Sequence, residues 1–270
     1  MGLRNWKGRT RIKGCVMGLR KGLLLAVTVT AVFMLGMLGV ASMENPLAGL
    51  AVKPDGKPML LGFIANEIRS GWMASATGYM RSLWERAGGT FRLFVSEYDV
   101  AKELSQVDDL LILNPDAILF HPSDSYAIAP GVAKANARGV PTFAVDVGVI
   151  GAPVISFVHI EQEDLGAIDA EYLASIFSPE NPAKVLQIMG GLEQDIAVKR
   201  RNGFNNTIAK YDYIQLLQEI DCKWSSEKAM NAVMDALERF PDLNCIYVHS
   251  DMMLPGVIQG LKLRNRLVPR

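Results

Sequence analysis

The chain has 270 residues, half of them hydrophobic, and 28 Lys plus Arg balance 28 Asp plus Glu. Such a length suits two domains better than one or three, and the even charge gives no electrostatic reason to expect a nucleic acid partner. The three cysteines and three histidines show no metal-site spacing, and no cofactor is expected.

The first 21 residues hold seven basic side chains, Arg4, Lys7, Arg9, Arg11, Lys13, Arg20 and Lys21, and the apolar run GLLLAVTVTAVFMLGMLGVAS follows. Two readings stay open. A secretory signal has a charged start, an apolar centre and small residues at the cut, here Val40 and Ser42 before Met43. An uncleaved anchor has the same charge order and enough length to span a bilayer. MGLR occurs at Met1 and again at Met17, and a start at Met17 gives the more ordinary signal length. Residues 1–43 are therefore read as a signal peptide or an N-terminal membrane anchor, with the globular part exported. Residues 44–58 form a linker containing Pro and Gly, 59–160 an N-terminal α/β lobe and 161–270 a C-terminal α/β lobe.

The first strand is expected from Met59 to Ala65. A helix from Ile68 to Ala87 follows, with Trp72, Ala76, Met80, Leu83 and Ala87 at helical spacing, and Gly88-Gly89 ends it. FRLFV and a helix from Val100 to Leu113 come next. The stretch from Asn114 to Asp146 is a strand-helix-strand unit: AILF ends in HPSDS, YAIAPGVAKANA leads to a Gly-Val-Pro turn, and TFAV stops on Asp146. VISFV, residues 154–158, is the fifth strand. After a crossover at His159 to Asp164 the pattern restarts: helix LGAIDAEYLASIF, strand KVLQIM, a helix near Ile196 to Lys210, strand YIQLLQEI, a helix near Ser226 to Phe240, strand CIYV and a helix near Leu254 to Arg264. Continuous apolar strands of this kind belong to parallel sheets covered on both faces. The fold class is α/β, with two similar doubly wound parallel-sheet domains and a ligand cleft between them. Ligands bind beyond the carboxyl ends of such strands, where His121, Ser123, Asp124 and Asp146 fall. The second array has three strands to the first's five and ends on LKLRNRLVPR, so the second domain is expected to be incomplete and to continue beyond residue 270. Cys222 and Cys245 fall at opposite edges of their sheet, so no disulfide is expected.

AKELSQVDDL, PDAILFHPSDSYAIAP, ANARGVPTFAVD, RRNGF at Arg200 to Phe204, WSSEKAM, FPDLNCIYVHSDMM and GVIQGLK occur in an order and spacing that resembles the type I periplasmic sugar-binding proteins, ribose-binding-protein-like, from about Met59 to Leu263. The resemblance implies a two-lobed binder that closes on a monosaccharide or polyol, delivers it to an ABC-type permease, works as a monomer and catalyses nothing. Trp72 matches the family's aromatic at the start of the first helix, Asp146 its carboxylate after the fourth strand, Arg200 its arginine four residues before the Phe of the GF pair, and Trp224 its distal aromatic. Arg69, His121, Val147 and Ser250 stand where ribose binders carry Asn, Asn, Arg and Asn, which points away from ribose itself. The family's closing segment, with its cleft aspartate and glutamine, has no counterpart.

Each position also has a plainer reading. Trp72 could be core on its helical stripe, Trp224 could staple the helix that Ser225 or Ser226 caps, and Arg200 sits in a KRR run of the kind that usually faces solvent. Asp146, buried without a partner, would be costly, and a ligand or Arg200 would remove the cost. His121 reads as either a bonded turn residue or a contact, Asp251 as a helix N-cap, and Glu161 and Glu163 as hinge or surface groups. No paired carboxylates of a glycosidase appear, MGGLEQ lacks phosphate-loop spacing, and an apolar leader stands where a repressor of this fold needs its helix-turn-helix. The alternative function is a membrane-anchored extracellular ligand sensor.

Overall fold

The computed structural model describes residues 45–267. The leader, its cut, the two possible starts and Cys15 lie outside them, as do residues 268–270. Among the described residues no helix is long and apolar enough to cross a membrane.

Two parallel sheets organise the chain. The first contains β1 (Leu60–Ala65), β2 (Thr90–Val95), β3 (Ala117–His121), β4 (Thr142–Val145) and β5 (Ser156–Val158), in the order β2-β1-β3-β4-β5. Its helices are α1 (Gly71–Arg86), α2 (Val100–Ile112) and α3 (Ala129–Ala137). The second sheet, β6 (Ala183–Met189), β7 (Ile214–Asp221) and β8 (Cys245–Val248), runs β7-β6-β8, with α4 (Gln162–Ile176), α5 (Asp195–Ile208), α6 (Ser226–Arg239) and α7 (Leu254–Leu263) around it. This is the doubly wound α/β arrangement read from the sequence, with a three-stranded second sheet. Cys222 follows β7 and Cys245 opens β8, on either side of β6, and both are free thiols.

Each sheet packs on both faces, except at the edge strand β5, where Ser156 and Val158 are exposed. Phe63 and Ala65 of β1 pack with Met73 and Phe91, while the intervening Ile64 joins Val107, Leu110, Ile118, Phe120 and Val132 on the opposite face. In the second sheet Leu186 and Ile188 face Ala229, Val233 and Val257, while Val185 faces Phe204 and Ile208. That alternation between two cores is why these strands read as unbroken apolar runs.

Local polar groups set where helices begin. Ser70 accepts from the Met73 N–H and Asp99 from Lys102, both as N-caps, and Ser225 accepts from Lys228. α4 and α5 cross at Gly166 and Gly203: a Cβ on the first would overlap the Arg200 carbonyl, and on the second the Glu163 carbonyl. The absence of both side chains brings the backbones together and sets where Arg200 stands.

Three expectations are corrected. The buried stripe of α1 is Met73 and Thr77, continued by half-buried Met80 and Trp84, and Trp72 at 49% exposure lies off it. The helix starts at Gly71 rather than Ile68, because Glu67 and Ser70 bind the free N–H groups there. Asp251 caps nothing with its side chain: the residue before α7 is Met253, with no side-chain cap.

Candidate functional site

A cavity of about 430 Å³ lies at the carboxyl ends of both sheets, the crevice position expected of open α/β sheets. From the first sheet come Asn66, Glu67, Ser70 and Trp72 after β1, Tyr98 after β2, His121 at the end of β3 and Asp146 after β4. The second supplies Gln194, Ile196 and Arg200 after β6, Trp224 after β7, and His249 to Met252 after β8. Ile160 and Gln162 reach it from the crossover.

Six of the seven residues picked out in the sequence therefore line one cavity: Trp72, His121, Asp146, Arg200, Trp224 and Ser250. Arg69 does not. Its side chain is exposed, and its backbone N–H is held by Glu67, whose carboxylate also takes the Ser70 N–H at 2.9 Å. A residue one turn before α1 is thereby committed to starting the helix. Val147 is buried in the core of the second sheet with Ile196, Trp224 and Met253.

The two walls share one construction. Each second strand is followed by two consecutive residues in the left-handed region, Glu97 and Tyr98 at φ 58° and 64°, then Lys223 and Trp224 at 51° and 58°, and an N-cap comes next. Positive φ is uncommon for bulky side chains and costs about 1–2 kcal/mol each. The strained turn aims an aromatic ring into the cavity on both sides. Trp224 is 7% exposed, donates from Nε1 to Gln194 Oε1 at 2.6 Å, and lies over Gly190, where a Cβ would overlap the indole. Trp72, in contrast, offers an open face, with His121 5.8 Å away between ring centroids.

The polar floor is a chain of side chains. Asn66 donates from Nδ2 to the Pro122 carbonyl and so presents Oδ1 to His121 Nδ1 at 2.8 Å. His121 Nε2 is 3.4 Å from Asp146 Oδ2, and Asp146, itself at φ 59°, accepts from Gln162 Nε2 at 3.2 Å. Arg200 donates to Gln162 Oε1 from Nε at 3.1 Å and from Nη2 at 2.5 Å, and to the His249 carbonyl. Of the two partners open to Asp146, a ligand or Arg200, the second does not bond it directly: the Gln162 carboxamide lies between them. Burial lowers the Arg200 pKa, opposed by Tyr247, Asp146 and Asp169.

His249 is buried, and desolvation together with Arg200 and Arg201 depresses its pKa to about 3. Gly190 N–H lies 3.4 Å from Nδ1 and the Gln187 Nε2 amide 3.0 Å from Nε2, so two donors face a ring whose neutral form accepts at only one nitrogen. Behind the first wall Glu103 is fully buried, and burial raises its pKa to about 7 although both carboxylate oxygens accept from Ser123 N–H.

Beside the cavity the loops after the two sheets clasp each other. Asp195 Oδ1 accepts from Gly148 N–H at 2.9 Å and from Ser125 Oγ at 3.3 Å, and Asp195 N–H returns a bond to Ser125 Oγ at 3.0 Å. Ser125 N–H donates to the Glu193 carbonyl and Gln194 Nε2 to the Pro122 carbonyl.

Asn66, Tyr98, Gln162, Gln194 and His249 escaped the sequence reading, and Asp251, read there as an N-cap, also lines the cavity. Amides carry no periodicity or charge signal, but Tyr98 had one: SEYD and CKWSS both set an aromatic residue directly before a capping residue.

Carboxylate, guanidinium, amide and imidazole groups with aromatic walls face one another across a cavity whose size and lining suit a small polar molecule. Residues 61–268 match the family model described as a periplasmic binding protein domain. The chain belongs to that family, whose members are periplasmic solute-binding proteins rather than enzymes. It is 24% identical over 237 residues to the ribose import binding protein RbsB of Bacillus subtilis, covering 87% of this chain and 76% of that one. It is 27% identical over 169 residues to the xylitol-binding protein of Mycolicibacterium smegmatis, covering 62% and 48%. The fructose binding periplasmic domain of a hybrid two component system superposes with a TM-score of 0.71 at 20% identity, covering 77% of this chain and 70% of that one.

Proposed function

We propose that this protein captures a monosaccharide or polyol outside the cytoplasm and hands it to an ABC-type permease, without catalysis. The observation that carries the reading is the cavity itself, where Trp72 offers a flat apolar face beside the hydrogen-bonding set of His121, Asp146, Gln162 and Arg200. Sugar rings have apolar faces that favour indole, and hydroxyls that donate and accept at once, so a carboxylate and a guanidinium satisfy them in pairs. The names of the ribose and xylitol relatives agree with that chemistry. In this reading residues 1–43 export or anchor the protein, 44–58 link, and the lobes 59–160 and 161–270 close as a monomer on one ligand.

Calorimetry with pentoses, hexoses and polyols tests it: saturable binding of one of them at one site per chain is expected, and no binding across the panel rejects the reading. A second reading, an anchored sensor that passes the same ligand signal to a kinase, draws on the hybrid two component neighbour. N-terminal sequencing of the mature protein separates them, since a start near Met43 favours transport and an intact leader favours sensing.

A further inference from the structure

Gln162, within the crossover, is the first residue of α4, and it is 2% exposed. Its carboxamide fills the gap between Arg200 and Asp146, with Oε1 toward the guanidinium and Nε2 toward the carboxylate. That orientation is forced. A guanidinium has only donors and a carboxylate only acceptors, so the amide oxygen must face Arg200 and the amide N–H Asp146.

Arg200 is fixed from its other side by the His249 carbonyl, and Asp146 by the left-handed backbone that aims it past the end of β4. Without the amide, the two charges stand in one partly buried space with nothing between them. Direct pairing would then take the carboxylate lone pairs and guanidinium N–H groups that face the cavity, because a desolvated pair is costly to hold apart.

We infer that Gln162 is the positioning residue of this site: a neutral spacer that keeps Asp146 and Arg200 apart and presents both to ligand hydroxyls. The inference rests on the sugar-binding reading above. It makes the binding strength depend on amide polarity at residue 162, which a space-filling role does not.

Q162E keeps the size of the side chain and reverses its polarity toward Asp146. The introduced carboxylate still takes the Arg200 bonds but now opposes a second carboxylate, so the pair takes up a proton at a raised pKa; His121, 3.4 Å from Asp146, faces the site in both proteins, so the comparison with wild type at each pH isolates the effect of residue 162. Calorimetry of wild type and Q162E with the sugar that wild type binds is run at pH 8 and pH 5. Affinity of Q162E is expected to be about tenfold or more below wild type at pH 8, with the gap closing by pH 5 as the shared proton arrives. Equal affinity of the two proteins at both pH values overturns the inference.

Melting curves without ligand keep this test separate from the transport reading. If wild type binds no sugar, that reading fails, while the positioning of Asp146 by Gln162 still predicts a melting-temperature deficit of Q162E that is larger at pH 8 than at pH 5; an equal deficit overturns it. Should Q162E not fold, Q162A replaces it. A stable Q162A with lost affinity supports the spacer, and one that melts early but binds as wild type does overturns it.

Discussion

At the residue scale, two buried groups titrate against each other. Glu103 has a folded pKa near 7, raised from 4.5 by burial, so the native state holds its proton longer than the unfolded chain; the stability it lends is complete below pH 4.5 and lost as pH rises through 7. His249 is the reverse. Its folded pKa near 3, against 6.5, makes its share complete above pH 6.5 and lost as pH falls through 3. The two slopes oppose between pH 4.5 and 6.5, where wild-type stability is expected to vary little. E103Q should unmask His249, giving stability that climbs with pH across that window by a few kcal/mol, whereas H249Q should give stability that falls with pH. Urea unfolding at four pH values checks both. The two tryptophans should also separate. W72A removes an exposed ring, so about a tenfold or greater loss of ligand affinity is expected with stability within about 0.5 kcal/mol of wild type. W224A removes a buried, bonded ring and should cost about 3–5 kcal/mol in urea unfolding as well. Asp146 and Arg200 were legible from their places in the chain, but the amide between them was not, because a glutamine four residues into a crossover looks like any polar loop residue.

At the scale of elements, the crossing of α4 and α5 at two glycines ties packing to binding. G203A places a methyl group against the Glu163 carbonyl, so the helices must separate. A cost of about 1–3 kcal/mol or more is expected from overpacking, with weaker ligand binding because Arg200 and Gln162 ride on the two helices that move. G78A on the open side of α1, where an added Cβ meets nothing within 4 Å, should instead stabilise by about 0.5–1 kcal/mol. Denaturant titration of the two variants side by side distinguishes a packing effect from a general intolerance of change. Most of the eight strands were readable as apolar runs because their two faces are covered, the exposed edge strand β5 excepted, and the strand ends agree with the sequence to within two residues or so. The face of α1 was read only in part: Met80 and Ala87 of the expected stripe are packed, but its first turn buries Met73 in place of Trp72 and then Thr77, a polar residue whose hydroxyl finds no partner.

At the scale of the molecule, the clasp at Asp195 joins the loops of the two sheets without lining the cavity. In the proposed reading the lobes part to release the ligand and these bonds break, so D195A should lower affinity for every ligand by one common factor, about tenfold, while leaving the ranking of ligands unchanged. Small-angle scattering of the unliganded variant should show a larger radius of gyration than wild type. Two facing sheets were foreseeable from the repeated βα pattern, whereas the clasp depends on a serine, a glycine N–H and an aspartate brought together from Ser125, Gly148 and Asp195, far apart in the chain. The matched turns that carry Tyr98 and Trp224 bear on how such a molecule changes its diet. Each aromatic is mounted on its own sheet by an independent bend, so natural variation or a protein engineer can exchange one ring for another on one wall while the opposite wall goes on gripping the cargo, and new preferences can be acquired half a pocket at a time.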